Sequence, residues 1–257
     1  MTRSTMSPRW KDKLYKALAV VFWLGVWQLL SSLIGQEILI VSPVRAVRTL
    51  LSFLGEGAFY RRVGFTLTRI LAGFLLGFAV GVPLALLSYR FSAVRILLSP
   101  LMHAVRATPV ASFVILALVF IRSRRLSVFI SFLMVLPVAY TNLLAGLSGA
   151  DRALLEMARV FRVGRLRQLR EIYLPAAYPS LLGACELSLG MCWKAGVAAE
   201  VIGLPDGSIG EALYQAKIFF STPELFAWTL AIILISLLLE KAVMRLLGLI
   251  RRKLEAA

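Results

Sequence analysis

The sequence predicts an all-α, polytopic membrane protein with about six transmembrane helices, and three observations predict it. First, the 257 residues are 60% hydrophobic, with a mean hydropathy of +0.83, well above that of a soluble domain of this length. Second, the apolar residues are blocked rather than periodic. GFLLGFAVGVPLALLS (73–88) and FAWTLAIILISLLLE (226–240) are apolar all round, as in helices solvated by lipid and by one another. Third, the 29 Lys and Arg outnumber the 13 Asp and Glu but collect beside the apolar blocks. In a soluble chain that excess would suggest nucleic acid. Here it reads as orienting charge around spans, so the expected surroundings are a lipid bilayer and not nucleic acid.

Spans of about 20 residues are expected at 14–35, 63–88, 99–121, 126–148, 176–202 and 223–247. The basic segment before the first, MTRSTMSPRWKDKLYK, is followed by no small-residue cleavage site, so that apolar run reads as a retained span. Between the first and second spans, Ser42 and Pro43 form an N-cap and first-turn pair for a helix too short to cross. The third span is interrupted by His103, Arg106 and Pro109, and the loop 203–222 opens with turn residues before a short amphipathic helix. An even number of spans puts both termini on one side. Segments on the side of the termini would carry 18 basic residues and the opposite loops 8, which predicts cytoplasmic termini. The expected organisation is a cytoplasmic tail at 1–13, a first span and outer loop at 14–62, a core at 63–247 containing a cytoplasmic loop at 150–175, and a tail at 248–257.

Within the spans, Gly73, Gly77 and Gly81 recur every fourth residue, a spacing that lets two membrane helices approach closely. Ionisable residues inside spans are costly. His103 and Arg106 in the third span, and Glu186, Lys194 and Glu200 in the fifth, therefore either pair between helices or face a polar pathway for a solute. Lys194 and Glu200 stand roughly 120° apart around a helix, so they are not expected to be each other's sole partners. Asn142 and Trp193 complete the candidate pathway set. Cys185 and Cys192 are seven residues apart on one helix, about 10 Å and too far for a disulfide. His103 is the only histidine, which excludes HExxH and multi-histidine metal sites; neither GxSxG nor GxxxxGK[ST] occurs, so neither a serine-hydrolase elbow nor an ATP-binding loop is expected on this chain.

The run EMARVFRVGRLRQLREIYLP (156–175) is a different kind of segment. Arg159, Arg162, Arg165, Arg167 and Arg170 exclude it from lipid, while Met157, Val160, Phe161 and Leu169 offer apolar contacts. Gly164 permits a turn, which predicts two short helices, the second ended by Leu174-Pro175. Lying flat on anionic lipid is one reading. A protein partner fits better, because the turn interrupts any continuous lipid-facing stripe.

This run resembles the EAA loop of binding-protein-dependent ABC importer permeases, which reads EAA, three residues, Gly, nine residues, then I-x-L-P. Glu156, Ala158, Ile172, Leu174 and Pro175 match; Met157 replaces the middle alanine, and Arg162 stands where the glycine is expected, with Gly164 two residues later. TLTRILAGFLLGFAVGVPLALL (66–87), LPAAYPSLL (174–182), WKAGVAAEVIG (193–203) and SIGEAL (208–213) are similar to the nitrate/sulfonate/taurine-type branch, whereas FIRSRRLS (120–127) departs from that branch's Trp-Phe-Gly-x-Gly-like turn. The resemblance implies a type I permease of the bacterial inner membrane, paired with a second copy as a homodimer. It also implies two copies of a separate ATPase carrying the ATP and magnesium, and an extracytoplasmic substrate-binding protein. ATPase coupling would then fall to Glu156, Ala158, Arg159, Arg162, Gly164, Ile172, Leu174 and Pro175. The implied cargo is a sulfonate, nitrate, taurine or a thiamine-precursor-like compound. A secondary transporter or channel with no ATPase would leave the EAA-like helix unexplained.

Overall fold

The computed structural model describes the backbone of residues 8–36 and 38–255 and the side chains of 13–36 and 38–249. The described backbone is helical almost throughout. α1 (Pro8–Ile34), α2 (Pro43–Phe53), α3 (Gly57–Arg90), α4 (Ser92–Ala107), α5 (Val110–Phe120) and α6 (Ser123–Ser148) form the first half. α7 (Arg152–Val160), α8 (Arg165–Gln168), α9 (Leu174–Gly203), α10 (Ile209–Ile218) and α11 (Thr222–Glu255) form the second. The expected tails at 1–13 and 248–257 lie partly outside the described residues; where described, they are helix, in α1 and α11.

Three of these helices, Lys13–Ile34 within α1, α3 and α6, are long and apolar enough to cross a membrane, and a fourth crossing follows if α4 and α5 count as one span. Six were expected. α9 and α11, at 30 and 34 residues, have the length, but α9 carries Glu186, Lys194 and Glu200 along it. The expected third span is not straight. α4 and α5 meet at a bend of 105°, because Pro109 has no N–H to continue the helix and forces the residue before it out of the α region. Thr108 accordingly takes φ −80°, ψ 129°, and its hydroxyl donates to the Ala104 carbonyl at 2.8 Å.

The chain divides into two compact units. One takes in the described chain up to Phe59 together with Leu213–Ile232; the other is Tyr60–Ala212 with the chain from Ile233 on. Residues 213–232 thus group with the N-terminal part of the chain. Aromatic packing within that unit explains it: Trp228 lies 5.0 Å from Phe53 and 5.4 Å from Phe59, ring centre to ring centre, and Trp27 stacks on Phe226 at 5.7 Å. The Thr222 hydroxyl also donates to the Ile38 carbonyl at 2.7 Å. Ser42 caps α2 by accepting from the Arg45 N–H. Leu18, Val20, Val21, Phe22 and Trp23 of α1 are exposed, as a lipid-facing helix requires.

In the second unit α6 is the most buried span. Gly73, Gly77 and Gly81 of α3 lie directly against it. A Cβ on Gly73 would collide with the Val128 carbonyl and Ser131, on Gly77 with Val135 at 2.5 Å, and on Gly81 with Ala139 at 3.0 Å. α9 closes in from another side: Gly146 of α6 faces Ala177 and Ser180, and Ser131 donates to the Cys192 carbonyl at 3.3 Å. Cys185 and Cys192 are both free and buried. Such close approach supplies the dispersion contacts that hold membrane helices together, where lipid competes equally for apolar surface.

Candidate functional site

The basic stretch between α6 and α9 folds as a compact knob. Asp151 caps α7 by accepting the Ala153 N–H at 2.8 Å. α7 ends in a Schellman turn: the Val163 N–H donates to the Ala158 carbonyl at 2.8 Å and the Arg162 N–H to the Arg159 carbonyl at 3.1 Å. The left-handed position of that turn is Arg162 itself, with φ 50°. Gly164 does not make the turn; it caps α8 with φ −59° and ψ 146°. The residue in the place where the EAA pattern has glycine thus adopts the conformation for which glycine is favoured, at a cost of roughly 1 kcal/mol for an L side chain.

Leu174-Pro175 does not end the second helix either. One wide π turn, Leu169–Tyr173, joins α8 to α9, and the Leu174 N–H reaches back to the Leu169 carbonyl. Pro175 cannot donate to a carbonyl four residues back, and the wide turn accommodates it without a break. Helical backbone therefore runs unbroken from Arg165 to Gly203.

Ala158 is 2% exposed and Ile172 half-buried, whereas Glu156, Arg159, Arg162, Leu174 and Pro175 are exposed. So are Val160, Phe161 and Leu166, at 77%, 74% and 81%. Leu166 was not among the expected contacts, although its place between Arg165 and Arg167 on the same short helix could have marked it.

The candidate pathway residues do not gather in one place. His103 and Arg106 share a groove of about 300 Å³ between α4 and α6, with Arg95, Tyr140, Thr141 and Ser148. Arg106 Nη2 donates to Thr141 Oγ1 at 2.6 Å. Asn142 turns its amide back to the Val138 carbonyl of its own helix at 2.9 Å. Trp193 is buried and Lys194 exposed. Around α9, Gly183, Glu186, Leu187, Met191, Lys194 and Ala198 form one exposed stripe at helical spacing.

Glu200 belongs elsewhere. It is fully buried, and its Oε2 accepts from Thr66 Oγ1 of α3 at 2.7 Å and, at a longer 3.5 Å, from the Gly210 N–H of α10. Thr66 Oγ1 accepts in turn from the Ile209 N–H at 3.0 Å. Glu200 Oε1 and the Ser127 hydroxyl are buried without a hydrogen-bond partner. Gly210 presses on the Glu200–Val201 backbone so closely that a Cβ there would overlap the Glu200 carbonyl carbon and the Val201 nitrogen at 2.5 Å. Ser208 caps α10 by accepting the Glu211 N–H at 2.9 Å, and Glu211 accepts the Gly207 N–H at 2.7 Å. Arg62 stands 3.8 Å from Glu211. Thr66, Ser208 and Gly210 were not singled out from the sequence. The S-x-x-E spacing of 208–211 was the available signal for the cap, and nothing local marked Thr66.

A family profile described as "Binding-protein-dependent transport system inner membrane component" matches residues 73–256. Among similar proteins, one named for aliphatic sulfonate transport in Bacillus subtilis (SsuC) is 28% identical over 207 residues, 79% of this chain and 74% of that one. The bicarbonate transport system permease protein CmpB of Synechococcus elongatus is 25% identical, over 81% of this chain and 80% of that one. The nitrate import permease protein NrtB of Leptolyngbya laminosa is 26% identical, over 88% and 84%. Solved structures of the same fold include the MetNI methionine ABC transporter in inward-facing conformations, with TM-score 0.58 and 18% identity over 74% of this chain and 96% of that one. An amino acid ABC transporter with histidines has TM-score 0.58 and 20% identity, over 82% and 96%.

Proposed function

We propose that this chain, which belongs to the family of binding-protein-dependent transport system inner membrane components, is driven through the basic knob at 151–173. Membership makes it the membrane-spanning permease subunit of an ABC importer: a translocation subunit and not a catalytic one, working with a separate ATPase and a binding protein. The observation that supports the coupling role is the knob's construction. Its arginines and the exposed Val160, Phe161 and Leu166 form a mixed basic and apolar surface, the composition of a protein contact and not of a lipid-facing helix. The same segment continues into α9 without a break. A partner that displaces the knob therefore moves a membrane helix with it.

In this reading two ATPase subunits, each carrying ATP and magnesium, grip the knobs of two copies of this chain. Closure of the ATPase pair tilts the rods and exchanges an inward-facing for an outward-facing cavity, a two-state element biased by nucleotide. The termini are cytoplasmic, on the side of the 18 basic residues. The membrane is the bacterial inner membrane. The cargo is a small oxyanion: relatives are named for sulfonate, bicarbonate and nitrate, and Arg95 and Arg106 give the α4–α6 groove a cationic wall.

The test is the double variant Glu156→Ala with Arg159→Glu, reconstituted with its ATPase and binding protein. Uptake of labelled taurine, nitrate and bicarbonate is measured beside ATP hydrolysis. Uptake is expected to collapse while basal hydrolysis persists. Unchanged uptake per ATP would overturn the coupling assignment, and uptake of none of the three anions by the unmodified complex would overturn the cargo class.

A further inference from the structure

At the end of α6 opposite the knob, Arg122, Arg124 and Arg125 fall within four residues. Arg122 occupies the N-cap position with no side-chain cap, and the first turn of α6 holds no acidic residue. Three cations thus crowd the positive end of a helix dipole, an arrangement that is unfavourable until an anion joins it. Arg69 of α3 completes the cluster: its Nε donates to the Arg124 carbonyl at 2.7 Å, and its guanidinium lies 3.5 Å above the Phe65 ring. With Phe120 and Ile121 these four arginines line a cavity of about 650 Å³, and no acidic side chain is among its lining residues.

A second cavity, of about 550 Å³, shares Ile121 and Arg125 with the first and is otherwise lined by Leu76, Val128, Phe129 and Phe132. Leu76 follows Arg69 by seven residues on α3, and Phe132 follows Arg125 by seven on α6, which puts each about 10 Å further into its span. The groove is basic at the start of α6 and apolar further along it.

We propose that this composite groove binds an anionic glycerophospholipid, its phosphate on Arg122, Arg124 and Arg125 and one acyl chain lying over Leu76, Val128, Phe129 and Phe132. Guanidinium forks match phosphate oxygens in pairs. A free oxyanion would occupy the basic cavity and leave the apolar one empty. A zwitterionic lipid would bring the same phosphate but with a quaternary ammonium beside it, which the arginine cluster repels and which cancels the net charge available to compensate the arginines. An acidic protein surface could meet the arginines but not enter the slot between α3 and α6.

Native mass spectrometry of the full chain in detergent tests this, with phosphatidylglycerol and phosphatidylcholine of identical acyl chains as probes and inorganic phosphate as competitor. Phosphatidylglycerol is expected to be retained about tenfold better than phosphatidylcholine, given roughly fivefold per engaged arginine less losses to micelle screening. The variant Arg122→Gln/Arg124→Gln/Arg125→Gln should bring the two lipids close to parity. These side chains are exposed, so folding is retained and is checked by the thermal melt; Arg69 is left alone because it ties α3 to α6. Val128→Trp, which fills the slot without touching charge, should weaken retention of both lipids. Equal retention of the two lipids by the unmodified chain overturns the proposal. Displacement of phosphatidylglycerol by inorganic phosphate at equal concentration overturns it in favour of a free oxyanion. Unchanged phosphatidylglycerol retention in the triple variant overturns it as well, and hands the arginines to an acidic protein face.

Discussion

The helical rod Arg165–Gly203 has two unlike ends. Near Gly203, Glu200 is sealed among Thr66, Ile209 and Gly210, with backbone packed on backbone. Near Arg165, Leu166, Phe161 and the arginines stand in the open, and the turn that presents them rests on a strained residue, Arg162. The first end is a finished joint between α3, α9 and α10; the second leaves apolar and basic side chains exposed, where the proposed ATPase contact would cover them. A rod fixed at one end and free at the other transmits displacement. The contrast therefore predicts that damage to the joint costs folding, whereas damage to the knob costs coupling.

The largest effect is expected from Gly210→Ala. Its Cβ would meet the Glu200 carbonyl carbon and the Val201 nitrogen, and no rotamer relieves a clash with backbone. Destabilisation of about 3 kcal/mol, the upper range for overpacking, should appear as a lowered midpoint of unfolding in mixed micelles. A midpoint within experimental error of the unmodified chain would break the picture of a closed joint. Thr66→Val should come next. It keeps the side-chain volume but removes both the donor to Glu200 and the acceptor for Ile209, leaving buried polar groups unpaired, at a cost of about 1–3 kcal/mol. If Thr66→Ser recovers most of that loss in the same assay, the hydroxyl and not the packing is responsible; no recovery would assign the effect to shape.

The unequal legibility of the two ends has a physical cause. Apolar blocks and flanking charge are local properties, so α1, α3 and α6 could be read directly, as could the Ser42 cap of α2. The bend between α4 and α5 was half visible: Pro109 was noted as an interruption, but a proline in a membrane helix is compatible with a mild kink as well as with 105°. The joint was invisible, because Thr66 and Glu200 are 134 residues apart and a threonine in an apolar run carries no signal of its partner. Glu200 was grouped with Lys194 as a pathway candidate on ionisability alone, and burial separates them. The knob is legible as helix–turn–helix, but composition leaves the turn open between Arg162, in the glycine's place, and Gly164. What decides it is where α7 runs out of carbonyl partners: the Schellman bonds from Arg162 and Val163 fix the left-handed residue at position 162 whatever side chain stands there.

At the knob the effects on stability are smaller and sharper. Asp151→Ala removes the α7 cap and should cost about 1 kcal/mol, seen as faster amide exchange at Ala153; unchanged exchange would mean that water caps the helix equally well.

Arg162 separates two explanations of one residue, backbone turn and partner contact. Arg162→Gly relaxes the left-handed strain and should slow amide exchange at Arg162's own position and at Val163 by up to about fivefold, the equivalent of roughly 1 kcal/mol. The same variant discards the guanidinium. Arg162→Lys does the reverse, keeping a charge while leaving the strained backbone as it is. If the positive charge carries the contact, the Gly variant gains local stability and loses ATPase co-purification, and the Lys variant retains most of it. If the turn alone matters, the Gly variant holds its ATPase at least as well as the unmodified chain. Loss of co-purification in both variants with no change in exchange would show that position 162 is read as a planar, forked arginine and that the strained turn is tolerated to present it.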